Sequence, residues 1–254
     1  MSDFQFNKFL LFGDSITEFT FNQFPLNNKG EPPKEPIFTL GSALSNAYTR
    51  KLQVVQRGFG GYNSVHGKKL LPKILEQEHD NVQDGEKIKL AYIFFGSNDS
   101  RLSGSNKDNN QHVPLDQYVA NIKSNVEECT KRGIKVIVIT PAIHSQTAWN
   151  VKHPEDLQTG DYRSTELFGQ YAQALVKLGS EVGVPVVNLN EIFVKSGKSE
   201  DELLIDGLHL NGAGYQLFYD ALMDTIKTNW PELHPDNLPF KFPYFADLTY
   251  ETEF

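Results

Sequence analysis

Three residues that lie far apart in the sequence, Ser15, Asp206 and His209, have the types that acyl transfer requires. Ser15 ends a Gly-Asp-Ser turn after the apolar run 9–12, and Asp206 precedes His209 by three positions. A serine hydroxyl is a weak nucleophile until a base takes its proton, and a histidine oriented by a carboxylate is such a base. The spacing therefore predicts Ser15 as nucleophile, His209 as base and Asp206 as the residue that orients it.

Attack on a carbonyl also creates an oxyanion, which needs hydrogen-bond donors already in place. The candidate donors are the backbone N–H of Ser15, the side-chain amide of Asn98 and a backbone N–H from a glycine-rich turn. That turn offers Gly58, Gly60 and Gly61, and the residue types alone do not choose among them.

Each of these turns has an ordinary structural explanation when it is taken alone. Gly-Asp-Ser is common as a turn or helix N-cap, and Asp-Gly marks turns. Asn98 is typical of a cap, and glycines relieve backbone strain. The combination is more specific, because all four turns occur in one chain at positions that end or follow predicted strands.

Short apolar runs alternate with longer amphipathic segments along the chain. Runs that are apolar throughout are typical of parallel strands covered by helices on both faces. The pattern therefore predicts one α/β domain with a five-stranded parallel sheet, and such sheets carry their sites beyond the carboxyl ends of the strands. The predicted strands are 9–12, 54–57, 90–95, 136–139 and 184–189, and the predicted helices are 41–52, 64–78, 115–131, 166–182 and 213–227.

Three segments depart from this alternation. Residues 22–36 are rich in Asn, Pro, Lys and Glu, which predicts a surface insertion. Residues 142–162 form a long polar stretch, which predicts a loop that acts as a lid or pocket wall. We therefore predict a domain over 1–230 and a C-terminal tail over 231–254 that packs on the domain or on a second subunit of a homodimer.

Composition limits the partners and the compartment. The 254 residues include 24 Lys and Arg against 32 Asp and Glu, a formal net charge of −8, which argues against nucleic acid as a partner. No stretch approaches the roughly 20 apolar residues of a spanning helix, so membrane insertion is not expected. The single cysteine, Cys129, excludes an intrachain disulfide and favours a reducing, cytoplasmic location.

The four turns together resemble those of the SGNH, or GDSL, hydrolase family. They are GDS at 13–15, GFGGYNS at 58–64, GSND at 96–99 and DGLH at 206–209. Further segments resemble the fungal isoamyl acetate-hydrolysing esterases within that family. These segments are FLLFGDSITEF at 9–19, YTRK at 48–51, QRGF at 56–59 and His-Pro at 234–235.

The resemblance implies a flavodoxin-like three-layer fold, ester substrates, and neither metal nor cofactor. It implies the nucleophile, base and orienting roles given above for Ser15, His209 and Asp206. It also implies an oxyanion hole made by Ser15, Asn98 and the glycine three residues before Ser64, which is Gly61.

The resemblance makes a small ester the expected substrate, and alcohol acetates the best fit. Thioesterase, lysophospholipase and carbohydrate acetylesterase activities remain alternatives, as does a catalytically silent binding module of the same fold. Five apolar residues near the predicted strand ends are candidates for the substrate pocket, although core packing explains them equally well. They are Phe19, Phe21, Phe24, Ile143 and Trp149.

Overall fold

The sheet is parallel throughout and brings the carboxyl ends of its first three strands together. The computed structural model describes residues 4–105 and 110–252. Its strands are β1 (Lys8–Gly13), β2 (Gln53–Gly58), β3 (Ile88–Phe94), β4 (Lys135–Ile139) and β5 (Val186–Val187). They are ordered β2-β1-β3-β4-β5, and Gly13 at the end of β1 pairs with both Gly58 and Phe94. The predicted five-stranded parallel sheet is confirmed.

Helices cover both faces of this sheet. They are α1 (Ser15–Glu18), α2 (Leu40–Ala47), α3 (Ser64–Leu75), α4 (Leu115–Thr130), α5 (Gln146–Lys152), α6 (Pro154–Thr159), α7 (Thr165–Val182), α8 (Leu189–Lys195), α9 (Glu200–Leu203) and α10 (Gly212–Asn229). Helices α3, α4 and α7 pack on one face, and α2, α8 and α10 pack on the other. The three-layer architecture is therefore also as predicted.

The apolar strand β1 supplies both hydrophobic layers. Phe9 and Leu11 belong to the cluster under α2 and α10, whereas Leu10 and Phe12 belong to the cluster under α3 and α4. All four side chains are fully buried. Burial of one such side chain contributes roughly 1.5–3 kcal/mol, so an uninterrupted apolar run is stable only between two helical layers.

The last strand is shorter than the predicted strand 184–189. Pro185 has no backbone N–H, although its carbonyl accepts a hydrogen bond from the Val138 N–H at 3.0 Å. Asn188 already belongs to the next element, because its side chain accepts the Glu191 N–H and caps α8. Only Val186–Val187 remains in the ladder.

The expected helices and loops also need correction in three places. The helix expected over 41–52 ends at Ala47, and Arg50 beyond it has a left-handed backbone with φ of 60°. The loop expected over 142–162 contains the short helices α5 and α6, and α8 and α9 have no counterpart among the predicted helices. Helices this short depend on tertiary contacts and leave little periodic pattern in the sequence.

The C-terminal tail contacts the chain's own domain. The Tyr48 hydroxyl donates to the Leu233 carbonyl at 3.0 Å, and the Arg50 guanidinium donates to the carbonyls of Phe242 and Pro243. Leu238 packs against the cluster under α10. A homodimer through this tail stays a prediction. Residues 1–3, 106–109 and 253–254 of the predicted domain and tail lie outside the described residues.

Candidate active site

The turn after β1 places Ser15 at the first position of α1. Asp14 caps this helix, its side chain accepting the Ile16 N–H at 3.0 Å. A Cβ on Gly13 would collide with the Thr17 hydroxyl and the Phe94 carbonyl, so the strand passes into the helix only with glycine there. Ser15 is consequently held at the carboxyl edge of the sheet, with 7% of its surface exposed.

The turn between α9 and α10 supplies His209 and Asp206. Gly207 has φ of 90°, a left-handed conformation that favours glycine. The turn is closed by the hydrogen bond from the Ile205 N–H to the His209 carbonyl at 2.8 Å. His209 Nε2 lies 2.9 Å from the Ser15 hydroxyl oxygen, so these two residues are brought into hydrogen-bond contact.

The Asp206 carboxylate fixes the orientation of the imidazole. Its Oδ2 atom lies 2.8 Å from His209 Nδ1, and Oδ1 accepts the backbone N–H groups of Leu208 and His209. Burial alone would raise the pKa of Asp206, but these hydrogen bonds and the His209 charge lower it to about 2. The ionised carboxylate therefore keeps the proton on Nδ1 and leaves Nε2 free to accept the Ser15 proton.

The three candidate glycines of the second turn have different surroundings. Gly58 ends β2, where a Cβ would collide with the backbone of Glu18, and the Gly60 N–H donates to the Glu18 carboxylate. Gly61 lines the cavity beside Ser15, and its N–H has no acceptor within residues 4–105 and 110–252. These surroundings favour Gly61 as the donor.

Asn98 lies in the turn after β3 and lines the same cavity. Its amide nitrogen donates to the Tyr62 carbonyl at 2.8 Å, and its amide oxygen accepts from Arg163 Nη2 at 3.3 Å. An amide nitrogen has two hydrogens, so one remains for a substrate oxyanion. Asn98 and Gly61 thus line the same cavity as Ser15, and their role as oxyanion donors stays a prediction.

Asp99 connects the second and third turns. Both of its carboxylate oxygens accept the Ser64 N–H, at 2.9 and 3.2 Å. Burial raises the pKa of Asp99 to about 7, although the hydrogen bonds from Ser64 oppose this. The contact fixes the start of α3, three residues after Gly61, against the turn that carries Asn98.

A cavity of about 380 Å³ opens in front of Ser15 and His209. Besides Ser15 and His209, the lining contains Gly61, Asn98 and Leu208 and a second group of mostly polar or charged residues, called the polar wall below. The polar wall consists of Arg101, Gln111, Trp149, His153, Glu155, Asp156 and Arg163. A small substrate fits in this volume, and a substrate group that reaches the polar wall meets charged side chains.

Trp149 is the one proposed pocket residue that lines this cavity. Phe19 contacts the His209 ring at a centroid distance of 5.1 Å but is not part of the lining. Ile143 is buried in the core cluster under α10. Phe21 and Phe24 are about half exposed and also lie outside the lining.

Sequence reasoning did not identify the buried Arg163 as a site residue. Its guanidinium lies behind Asn98, donates to the Ser97 carbonyl at 3.0 Å and stacks on Trp149 at 5.0 Å. Burial, with the nearby charge of Arg101, lowers the pKa of Arg163 to about 9. Arg163 has no fixed sequence spacing to the other site residues. The one feature of the sequence near it is Ser164, which caps α7.

The described part of the chain shows neither a metal centre nor a membrane span. No group of three or more His, Cys, Asp and Glu side chains within it is arranged to hold a metal ion. None of the helices in that part is both long and apolar enough to cross a bilayer.

Comparison with known proteins agrees with the fold. The model of the GDSL-like lipase/acylhydrolase family matches residues 9–222. An isoamyl acetate-hydrolyzing esterase from Saccharomyces cerevisiae is 39% identical over 244 residues, which cover 96% of this chain and 95% of the yeast protein.

Solved structures share the fold at lower identity. A lipase/acylhydrolase from Enterococcus faecalis superposes with a TM-score of 0.63 at 20% identity, covering 93% of this chain and 100% of that one. An acetylxylan esterase from Geobacillus stearothermophilus gives 0.60 at 19% identity, covering 89% and 96%.

A serine, histidine and aspartate joined at the carboxyl edge of a parallel sheet are the arrangement of an α/β serine hydrolase. The chain belongs to the GDSL-like lipase/acylhydrolase family. It is a carboxylic ester hydrolase.

Proposed function

We propose that this enzyme hydrolyses short-chain esters, with alcohol acetates such as isoamyl acetate as preferred substrates. The observation that carries the proposal is the continuous contact from Asp206 through His209 to the Ser15 hydroxyl at the cavity. The cavity volume of about 380 Å³ suits a small ester. The name of the yeast relative supports the acetate ester as substrate.

The first half of the reaction forms an acyl-enzyme. Ser15 Oγ attacks the ester carbonyl carbon while His209 Nε2 takes its proton. The carbonyl oxygen becomes an oxyanion that the N–H groups of Ser15 and Gly61 and the amide of Asn98 stabilise. When the tetrahedral intermediate collapses, the carbon–oxygen bond to the alcohol breaks and His209 protonates the departing alcohol.

The second half releases the acid. A water molecule gives its proton to His209 and attacks the acyl carbon from the side the alcohol has left. The same donors hold the second oxyanion. Collapse returns the proton to Ser15 Oγ and releases acetate or another short carboxylic acid.

The test is a comparison of the wild type with Ser15→Ala on acetates, butyrates, octanoates and acyl thioesters. We expect the highest kcat/KM on short alcohol acetates and a loss of at least about 10⁴-fold in the folded variant. A higher kcat/KM for thioesters would instead indicate a thioesterase, and a higher kcat/KM for long acyl chains would indicate a lysophospholipase. Full activity in Ser15→Ala would overturn the mechanism, and an inactive but ligand-binding wild type would make the protein a binding module.

Acetylated carbohydrates are a second candidate, favoured by the polar wall of the cavity. Arg101 and Glu155 place charged groups there that can hydrogen-bond to sugar hydroxyls and that the hydrocarbon of isoamyl alcohol cannot use. Isoamyl acetate and an acetylated xylose compared on the wild type separate the two candidates. A higher kcat/KM for the sugar ester would make the carbohydrate acetate the substrate.

We also infer that the enzyme acts in the cytoplasm. Cys129 is buried in the cluster under α4, and burial raises the pKa of its thiol to about 12. An inert, unpaired cysteine suits a reducing compartment. Cell fractionation with antibodies against the chain tests this inference, and recovery in a secreted fraction would contradict it.

A further inference from the structure

The Arg163 guanidinium lies directly behind the proposed oxyanion hole. It is nearly completely buried, with 2% of the residue exposed. Its Nη2 atom donates to the Asn98 amide oxygen at 3.3 Å and to the Gln111 amide oxygen at 3.1 Å. A buried cation is costly unless its partners are well placed, so a residue of this kind needs an explanation.

The contact with Asn98 sets which way that amide faces. A guanidinium donates hydrogen bonds and accepts none, so it can meet only the oxygen of the amide. The amide nitrogen is then turned away from Arg163, where it reaches the Tyr62 carbonyl and the cavity. Without the cation, the Tyr62 carbonyl alone would orient the amide. An amide that then rotated would present its oxygen to the substrate and repel an oxyanion.

The contact with Gln111 reaches the second donor. Gln111 Nε2 donates to the Gly61 carbonyl at 3.2 Å, on the glycine whose N–H remains for the substrate. Gln111 Oε1 also accepts from Arg101 at 3.0 Å, and Arg101 is itself paired with Asp156 and Asp161. The side chain of Gln111 is thus held at one end by two cations and holds the Gly61 turn with the other.

We propose that Arg163 is a positioning residue for the oxyanion hole, orienting Asn98 directly and Gly61 through Gln111. The inference rests on the proposed function, because it concerns the oxyanion of that reaction. Arg163 lines the cavity with only 2% of its surface exposed and makes no hydrogen bond to Ser15. Because it acts through Asn98 and Gln111, we expect its main effect in the transition state, where the oxyanion exists, with substrate binding nearly unchanged.

The first test measures kcat and KM for a short alcohol acetate in Arg163→Met and Arg163→Lys. We expect Arg163→Met to lower kcat about 10²-fold with KM within about threefold, as for loss of one oxyanion donor. Arg163→Lys keeps one positively charged donor, the ammonium, in place of the guanidinium. Its kcat should therefore be about tenfold higher than that of Arg163→Met. Arg132→Met, which removes a surface pair with Asp80 and Glu128, is the matched control and should keep wild-type kcat.

A double-mutant cycle separates positioning from a general structural role. If Arg163 acts through Asn98, Arg163→Met should cost much less in an Asn98→Ala background than in the wild type. Losses that simply multiply would overturn the proposal. A wild-type kcat in folded Arg163→Met would do the same.

Gln111→Leu keeps the proposal testable if Arg163→Met does not fold. This variant removes the link to Gly61 together with the amide oxygen that accepts from Arg163 and Arg101, but it leaves the contact between Arg163 and Asn98 in place. We expect kcat to fall about tenfold with KM within about threefold. An unchanged kcat would contradict the role of Gln111 and with it the proposal. Ser15→Ala is measured alongside: an active Ser15→Ala removes the proposed function itself, whereas an inactive one confines any failure to Arg163.

Discussion

The Asp206 carboxylate binds His209 at two places at once, through the ring Nδ1 atom at 2.8 Å and through the backbone N–H at 2.9 Å. The side-chain contact sets the direction of the imidazole, and the backbone contact sets the turn that carries it. The same carboxylate thus controls both the tautomer and the position of the proposed base.

Replacing Asp206 with Asn should separate these two functions. The amide oxygen can still accept the backbone N–H, so we expect the fold to survive. Without an ionised partner for Nδ1, the imidazole can carry its proton on Nε2, where it can no longer accept the Ser15 proton. We therefore expect kcat to fall about 10³–10⁴-fold. Steady-state kinetics and a thermal melt check this, and a kcat within tenfold of the wild type would contradict the orienting role.

Gly207 is expected to be essential for the same turn. A Cβ at this position would collide with the Ser145 carbonyl and would lie 2.8 Å from the backbone nitrogen of Trp149. The backbone of Gly207 also has φ of 90°, which residues other than glycine rarely adopt. Gly207→Ala should therefore lower the free energy of unfolding by more than about 1 kcal/mol and reduce kcat. Gly197→Ala is the matched control, because φ there is 70° but nothing described lies within 4 Å of the new Cβ. Urea unfolding that gave equal losses for both variants would exclude a steric role of Ser145.

Stability should depend on pH through His144. Burial, together with the charge of Arg163, lowers the pKa of His144 from 6.5 to about 3. At a pH between about 3 and 6.5, His144 is protonated in the unfolded chain and neutral in the folded chain. The free energy of unfolding therefore falls as the pH falls through this range. From pH 7 to pH 5 this removes up to about 2 kcal/mol. His144→Asn should flatten the pH dependence of urea unfolding by that amount, and parallel curves for the two proteins would contradict the burial effect.

Trp149 should determine how well the alcohol part of the ester is held. Its indole N–H donates to Asp156 at 2.9 Å, and its ring is a wall of the cavity. Trp149→Ala should raise KM for isoamyl acetate about tenfold, the effect expected for loss of apolar contact, with a smaller change in kcat. Phe24→Ala is the control, since Phe24 is half exposed and outside the lining, and its KM should stay at the wild-type value. A raised KM in Phe24→Ala would show that Phe24 contributes to substrate binding after all.

The sequence predicted the elements that have strong periodicity. Strands such as 90–95 were found because both faces are buried, which makes the run apolar throughout. An apolar run does not show where a strand ends, and β5 is an example: Pro185 lacks a backbone N–H and the Asn188 side chain caps α8, so the strand is only Val186–Val187. The helices α5 and α6 were missed because their stability comes from tertiary contacts.

The candidate site followed the same division. Turns at strand ends were predictable from residue type, and the structure brings Ser15, His209 and Asp206 within hydrogen-bond distance. Arg163 and Gln111 were not predictable, because the contacts of Arg163 with Asn98 and Gln111 join residues 65 and 52 positions apart, with no fixed spacing. The pocket candidates were chosen for being apolar, whereas most of the residues that line the cavity are polar or charged.

Two residues that line the cavity, His153 and Glu155, come from a short segment that carries none of the proposed catalytic groups. Ser15, Asn98 and His209 lie on turns in other parts of the chain, whereas His153 and Glu155 belong to α6 and the residue before it. Asp156 in the same segment differs, because it pairs with Arg101 and so connects to Gln111. Directed evolution confined to His153 and Glu155 therefore offers a route to new alcohol specificities that keeps the proposed catalytic residues in place.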